Sequence, residues 1–179
     1  PLHCRMPGPV FIDGDDVTLR PVEREDLDFC QRGLNDPAVR AGLGATDPMT
    51  ADDEESWYEN RVLEGDSVQL LVCVDEDPVG MIGFTNVNEK WGTAELGYWL
   101  APEYHGNGYA TAAAHLLVEY GFDQRRLHKV YAKAFAHNEA SQRVLEKVGF
   151  EREGALREQA FVDGEYVDVY RYGLLASDQ

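Results

Sequence analysis

Ala94-Glu95-Leu96-Gly97-Tyr98-Trp99-Leu100-Ala101-Pro102-Glu103-Tyr104-His105-Gly106-Asn107-Gly108-Tyr109-Ala110-Thr111 is the stretch that decides how this chain folds. A strand over Thr93 to Leu100 stops at Pro102, a turn carries Gly106 and Gly108, and a helix follows at once, with its apolar run from Ala112 to Phe122. Glycines there let the backbone turn sharply and come close to a ligand. The free N–H groups at the helix start favour an anion, and a phosphate or pyrophosphate suits such a nest of amides. A plain strand-to-helix turn is the simpler account of the same residues. The stretch is neither a Walker loop nor a full dinucleotide fingerprint. No Lys-Ser or Lys-Thr pair follows, and Ala112 stands where the third glycine of Gly-x-Gly-x-x-Gly would be. Three strands precede it, whereas a dinucleotide fold expects this unit early in a parallel series.

Upstream, residues 1–16 read as a flexible arm, with Pro1, Pro7, Gly8 and Pro9 near its start. Val17 to Val22 is a short strand. Glu25 to Leu34 has helical spacing and ends at Asn35-Asp36-Pro37, and Gly42, Gly44 and Pro48 mark a loop. Thr50 is a good N-cap for a helix from Ala51 to about Leu63. Val68 to Val74 and Val79 to Val87 are strands joined by a turn at Asp75 to Pro78. Downstream, Lys129 to Ala136 is a strand, Glu139 to Lys147 a helix stopped by Gly149, and Phe150 to Leu156 and Tyr166 to Leu175 are strands, with Asp163-Gly164 as the turn before the last. The pattern predicts one α/β domain over residues 17–179, a mixed twisted sheet of six to seven strands with helices on both faces.

Composition narrows the partners. The 179 residues carry a net charge of −17 and 44% apolar residues, so a real core is expected. Binding to nucleic acid or to anionic lipid needs clustered Lys and Arg, and neither partner is expected. No apolar run is long enough for a bilayer, and the N-terminus lacks the pattern of a signal peptide, which gives a cytoplasmic expectation. Lysines are only Lys90, Lys129, Lys133 and Lys147, and this acidic, Lys-poor chain suits a salt-rich habitat. Cys4, Cys30 and Cys73 have no zinc spacing and no disulfide framework, so they are read as free thiols.

A second segment, His137-Asn138-Glu139-Ala140-Ser141-Gln142-Arg143-Val144-Leu145-Glu146-Lys147-Val148-Gly149-Phe150, follows the strand ending at Ala136. Asn138 can cap the helix, and Val144, Leu145 and Val148 form an apolar stripe. Together the two segments resemble the GNAT superfamily of acetyl-CoA-dependent N-acetyltransferases. Its Gln/Arg-x-x-Gly-x-Gly/Ala loop is matched by His105-Gly106-Asn107-Gly108-Tyr109-Ala110, and its Asn-x-x-Ala/Ser helix closing with Gly-Phe by Asn138, Ser141, Gly149 and Phe150. Arg20-Pro21 and the Gly-Phe-x-x-Glu-Gly close at Phe150 to Gly154 also fit. The Gly-Tyr-Trp-Leu-x-Pro-x-Tyr run and the Asp-Gly-x-Tyr-x-Asp-x-Tyr hairpin at Asp163 to Tyr170 look most like the branch that acetylates N-terminal amines of ribosomal proteins. The resemblance spans roughly Val17 to Leu175.

It implies a GNAT fold with acetyl-CoA as donor and no metal. It implies that Tyr98, Trp99 and Leu100 bind the pantetheine arm as a β-edge, and that His105, Gly106, Asn107, Gly108, Tyr109, Ala110 and Thr111 hold the pyrophosphate. Asn138 and Ser141 complete the cofactor set. The position where many relatives carry a tyrosine acid is Leu145, which shifts attention to Ser141 as the group meeting the leaving thiolate. Glu95, on the strand, is the expected base, acting through water; a solvated outward carboxylate is the simpler account of it, and His105 and His137 are alternative bases. The acceptor is a primary amine, of a protein N-terminus or a small molecule, attacked directly in a ternary complex by a monomer or homodimer. Cys73 lies in an apolar strand and is expected inert. A noncatalytic acyl-CoA-sensing module on the same fold, or a nucleotide-phosphate-binding protein using the Gly turn, would keep the loop without consuming acetyl-CoA.

Overall fold

In a computed structural model, residues 7–65 and 67–179 are described. Cys4 and residues 1–6 of the expected arm lie outside them. Eight strands form one open mixed sheet: β1 Ile12–Asp13, β2 Thr18–Pro21, β3 Val68–Val74, β4 Asp77–Asn88, β5 Thr93–Leu100, β6 Lys129–Phe135, β7 Glu151–Val162 and β8 Glu165–Leu175, in the order 1-2-3-4-5-6-8-7. The extra strand over six to seven is β1, inside the stretch expected to be a loose arm. It pairs with β2, Phe11 stacks edge-on against Tyr120, and the Arg20 guanidinium donates to the carbonyls of Pro7 and Gly8. Arg20 thus ties the leading segment to the sheet edge.

Five α-helices cover the two faces: α1 Leu27–Asn35, α2 Pro37–Leu43, α3 Ala51–Trp57, α4 Tyr109–Asp123 and α5 Glu139–Val148. The α2 helix occupies the place read as a loop. Asp36 both ends α1 and caps α2, accepting from the amides of Ala38 and Val39, and Pro37 fills the first helical position. An Asp-Pro pair after a helix thus reads equally as a stop and as the next start. Thr50 and Asp53 form a reciprocal capping box on α3, which continues as a π-helical turn over Tyr58–Leu63.

Two cores follow from the alternation of the strands. On one face Leu70, Val72, Ile82, Phe84, Leu96 and Leu100 pack against Ala113, Ala114, Leu117 and Val118 of α4 and Leu145 and Val148 of α5. On the other, Leu71, Cys73, Met81 and Trp99 pack against Cys30, Val39 and Tyr58. Gly33 of α1 lets the Trp99 ring lie on the helix backbone, where a Cβ would come within 2.1 Å of it.

The sheet opens where function needs it. β5 and β6 are parallel and paired only over Thr93–Glu95 with Lys129–Tyr131. Beyond Glu95 the strands part, while β6 stays paired along its length to β8. The remaining β5 edge, Leu96 to Leu100, faces a cleft instead of a partner.

Candidate active site

The cleft between the parted strands has a volume of about 640 Å³. β5 contributes Glu95, Leu96, Gly97 and Tyr98, β6 contributes Ala132 to Phe135, and Asn138 and Ser141 close it from the start of α5. The C-terminal end of α2 and residues 156–161 of β7 frame its outer part. An unpaired β-edge beside such a cleft offers backbone N–H and C=O groups in a row to an extended, amide-bearing chain.

Below the cleft, Pro102–Tyr104 makes a short turn and the loop 105–108 leads into α4. Gly106 and Gly108 have φ of 79° and 82°, a left-handed conformation that side-chain-bearing residues resist. Gly108 caps α4 with no side-chain acceptor, so the first helical amides are left for an external anion. Asn107 fastens the loop by donating to the carbonyls of Tyr104 and His105. His105 Nε2 donates to the Leu100 carbonyl at 2.9 Å. That bond ties the loop to the strand end and commits the ring to a structural task, away from the residues that line the cleft. His137 stacks on Phe135 in the turn before α5, with ring centroids 5.6 Å apart.

Asn138 serves as the cap of α5: its Oδ1 accepts from the Ser141 amide at 3.1 Å. The amide nitrogen faces Gly42 of α2, where a Cβ would stand 3.8 Å from it, and both residues line the cleft. Cap and cleft donor are therefore two ends of one side chain. Asn138→Asp keeps the cap acceptor and loses the donor. A several-fold weaker acetyl-CoA affinity by titration calorimetry, with unchanged thermal stability, is the expected result.

Tyr98 and Ser141 meet directly, the phenol oxygen 2.9 Å from Ser141 Oγ. Burial raises the Tyr98 pKa above the ordinary phenol value, against a smaller lowering by the Ser141 hydrogen bond, so the phenol is protonated at neutral pH. Leu145 is fully buried in the core and cannot reach the cleft.

Glu95 sits at the paired end of the cleft, its side chain 15% exposed. One carboxylate oxygen is 3.0 Å from Lys133 Nζ and the other accepts from Asn86 at 2.7 Å. The Tyr131 phenol has its pKa raised, by burial first and by the Glu95 charge second. Lys133 and Asn86 gave no sequence signal as site residues, because they reach Glu95 only through strand pairing and the irregular register after Thr85.

Cys30 and Cys73 are buried, and desolvation foremost pushes their thiols up to about 12 and about 11. Neither can supply a thiolate at neutral pH. Among the described residues no group of three or more His, Cys, Asp or Glu could hold a metal ion, and no helix is long and apolar enough to cross a membrane.

A parted parallel strand pair and a glycine turn feeding a helix start offer one extended ligand a backbone edge and an anion site. Residues 16–151 match the family described as acetyltransferase (GNAT) domain, and the chain belongs to that family. It is similar to the spermidine N(1)-acetyltransferase of Escherichia coli, 32% identical over 156 residues, 87% of this chain and 83% of the relative. YdaF of Bacillus subtilis, provisionally named a ribosomal N-acetyltransferase, is 30% identical over 166 residues, 89% of this chain and 91% of its own. The crystal structure of the Vibrio cholerae spermidine N-acetyltransferase in complex with CoA and spermine superposes with a TM-score of 0.86 at 28% identity, over 92% of this chain and 98% of that one. The protein is an acetyl-CoA-dependent N-acetyltransferase.

Proposed function

We propose that the enzyme acetylates a primary amine of a small cationic molecule by direct attack in a ternary complex. The parted β5–β6 cleft carries this reading, because it brings Glu95, Tyr98 and Ser141 to one cavity. The pantetheine arm lies along the edge Tyr98, Trp99 and Leu100, and Asn138 donates to it. The pyrophosphate rests on the amides of the turn from His105 through Gly106, Asn107, Gly108, Tyr109 and Ala110 to Thr111. An anion there gains from the positive end of a 15-residue helix.

An amine attacks only when neutral. Glu95 takes the proton through water; its two partners leave lone pairs for a bridging molecule. Amides on the open edge of β5 supply the fixed donors that an oxyanion needs. Ser141 Oγ donates a hydrogen bond to the departing sulfur while accepting one from the Tyr98 phenol, and neither gives up its proton. A thiol of pKa about 8.5 leaves well as its thiolate, so this help is modest. Ser141→Ala should lower kcat about tenfold with the KM for acetyl-CoA little changed.

The charge of −17 and the two spermidine-acetylating relatives support a cationic acceptor. A screen with labelled acetyl-CoA against diamines, spermidine, aminoglycosides and a peptide with a free N-terminus tests it. Label on the amines is expected. Label on the peptide alone would move the acceptor to a protein N-terminus, which the likeness to YdaF favours. CoA binding without release of label to any amine would favour the sensing module.

A further inference from the structure

A second cavity of about 190 Å³ lies beside the cleft on the α1–α3 face of the sheet and shares Leu43, Gly97 and Tyr98 with it. Its walls include the side chains of Leu34, Trp57, Met81 and Trp99. Gly83 and Gly97 are cross-strand partners and bring no side chain into it. A Cβ at Gly97 would meet nothing within 4 Å, so this stretch of β5 is open. Gln69 and Thr85 are polar members of the lining, and one carboxyl belongs to it. Glu54, on α3, is 1% exposed, and among the described residues its Oε2 has no hydrogen-bond partner. Such an orphan costs folding free energy.

We propose that Glu54 is the counter-ion for a second ammonium group of the acceptor, held in this cavity while the reacting amine lies in the adjoining cleft. The acceptor class is then a diamine or longer polyamine, which deepens the amine-acetylation reading and rests on it. The walls suit an alkylammonium. Trp57, Trp99 and Tyr98 offer aromatic surface, which attracts a desolvated cation, and Leu34, Leu43 and Met81 cover a methylene chain. Among the described residues, the only anionic side chain of the lining is Glu54. Through the shared opening at Gly97, a chain anchored at Glu54 directs its other end to the edge of β5.

The site carries a pH signature. Desolvation, with a smaller contribution from Asp53, raises the Glu54 pKa to about 7. The remaining titratable group of the lining is Tyr98, and Cys30 of α1 is the other group whose charge acts together with it; both are neutral near pH 7. Glu54 is therefore charged at pH 8 and mostly neutral at pH 6.

The test compares 1,4-diaminobutane with n-butylamine as acceptors, in wild type and in Glu54→Gln. At pH 8 wild type is expected to prefer the diamine at least tenfold in kcat/KM, through KM. The preference should shrink toward pH 6 and be absent at both pH values in Glu54→Gln, with acetyl-CoA affinity unchanged. Calorimetry of n-butylammonium on the CoA-bound protein gives a readout independent of turnover, and binding at least tenfold weaker in Glu54→Gln is expected. Equal preference in the two proteins, or equal n-butylammonium affinity, would overturn the assignment and leave amine acetylation standing. Loss of turnover on every amine, with Glu54-dependent n-butylammonium binding intact, would overturn the transfer reading and leave the site standing. Should Glu54→Gln fail to fold, Glu54→Asp is the second variant: the shorter anion is expected to lower the diamine preference several-fold, and a parental preference would overturn the proposal.

Discussion

Gly108→Val is expected to abolish measurable CoA binding while the protein still folds. Gly108 stands at φ 82° as the residue that opens α4. A Cβ there would meet no atom of the protein within 4 Å, so overpacking has no part in the effect. A left-handed conformation costs a side-chain-bearing residue roughly 1–2 kcal/mol, and a β-branched one resists it most. The relief is for residue 108 to return to negative φ. That rotates the peptide on either side and takes the amides of residues 108–110 away from a common point. The open space beside Gly108 is also where a bound phosphate would sit, and valine methyl groups would fill it. Removing most of the amide contacts to a doubly charged pyrophosphate should cost at least a thousandfold in affinity, about 4 kcal/mol. Alanine at the same position bears the same φ penalty with less bulk and should fall between. Calorimetric titration with CoA, alongside far-UV circular dichroism, measures both halves. Parental affinity in the valine variant would move the pyrophosphate off this turn.

How legible such a site is depends on how local its causes are. The glycine turn, the strand before it and the helix after it were readable because each is set by residues a few positions apart. The cap at Asn138 and the stop at Gly149 are of the same kind, and the structure has Gly149 at φ 108° after α5. The α2 helix was hidden because Asp36 and Pro37 belong to two elements at once. β1 was hidden because two residues carry no periodicity; it exists through pairing with β2 and the reach of Arg20. The parting of β5 from β6 leaves no mark on either strand, since both have ordinary alternating patterns.

Side-chain meetings across long separations were the least readable. Tyr98 was assigned to the site for its backbone, and its phenol reaches Ser141, 43 residues later, only because α5 starts beside the cleft. Glu54 lies in Asp52-Asp53-Glu54-Glu55, where four acidic residues at a helix start read as favourable to the helix dipole. Three of the four are exposed as that account requires. Only burial separates the fourth, and burial is decided by how α3 packs on α1.

Glu95→Gln is expected to lower kcat about a hundredfold at neutral pH, with a smaller loss as pH rises. A positioned base contributes about 10²–10⁴-fold, and transfer through water places this case at the low end. Glutamine keeps the size of the side chain and can still accept from Asn86, so the geometry of the paired end of the cleft should survive. Lys133 loses its counter-ion, but its side chain is 44% exposed and water can solvate it. The variant therefore tests proton transfer more than folding, and the KM for acetyl-CoA should hold. The pH dependence separates a base from an electrostatic anchor. An alkylammonium has a pKa near 10.4, as lysine has, so its neutral fraction grows about tenfold for each pH unit below that value. Enzyme lacking the base draws on that fraction alone, and its rate should climb toward the parental rate between pH 7 and 10. If Glu95 merely holds Lys133 in place, the deficit should instead stay constant with pH. Parental kcat at pH 7 would exclude Glu95 as the base. The proton would then pass to water directly, because the His105 ring is already committed to the Leu100 carbonyl.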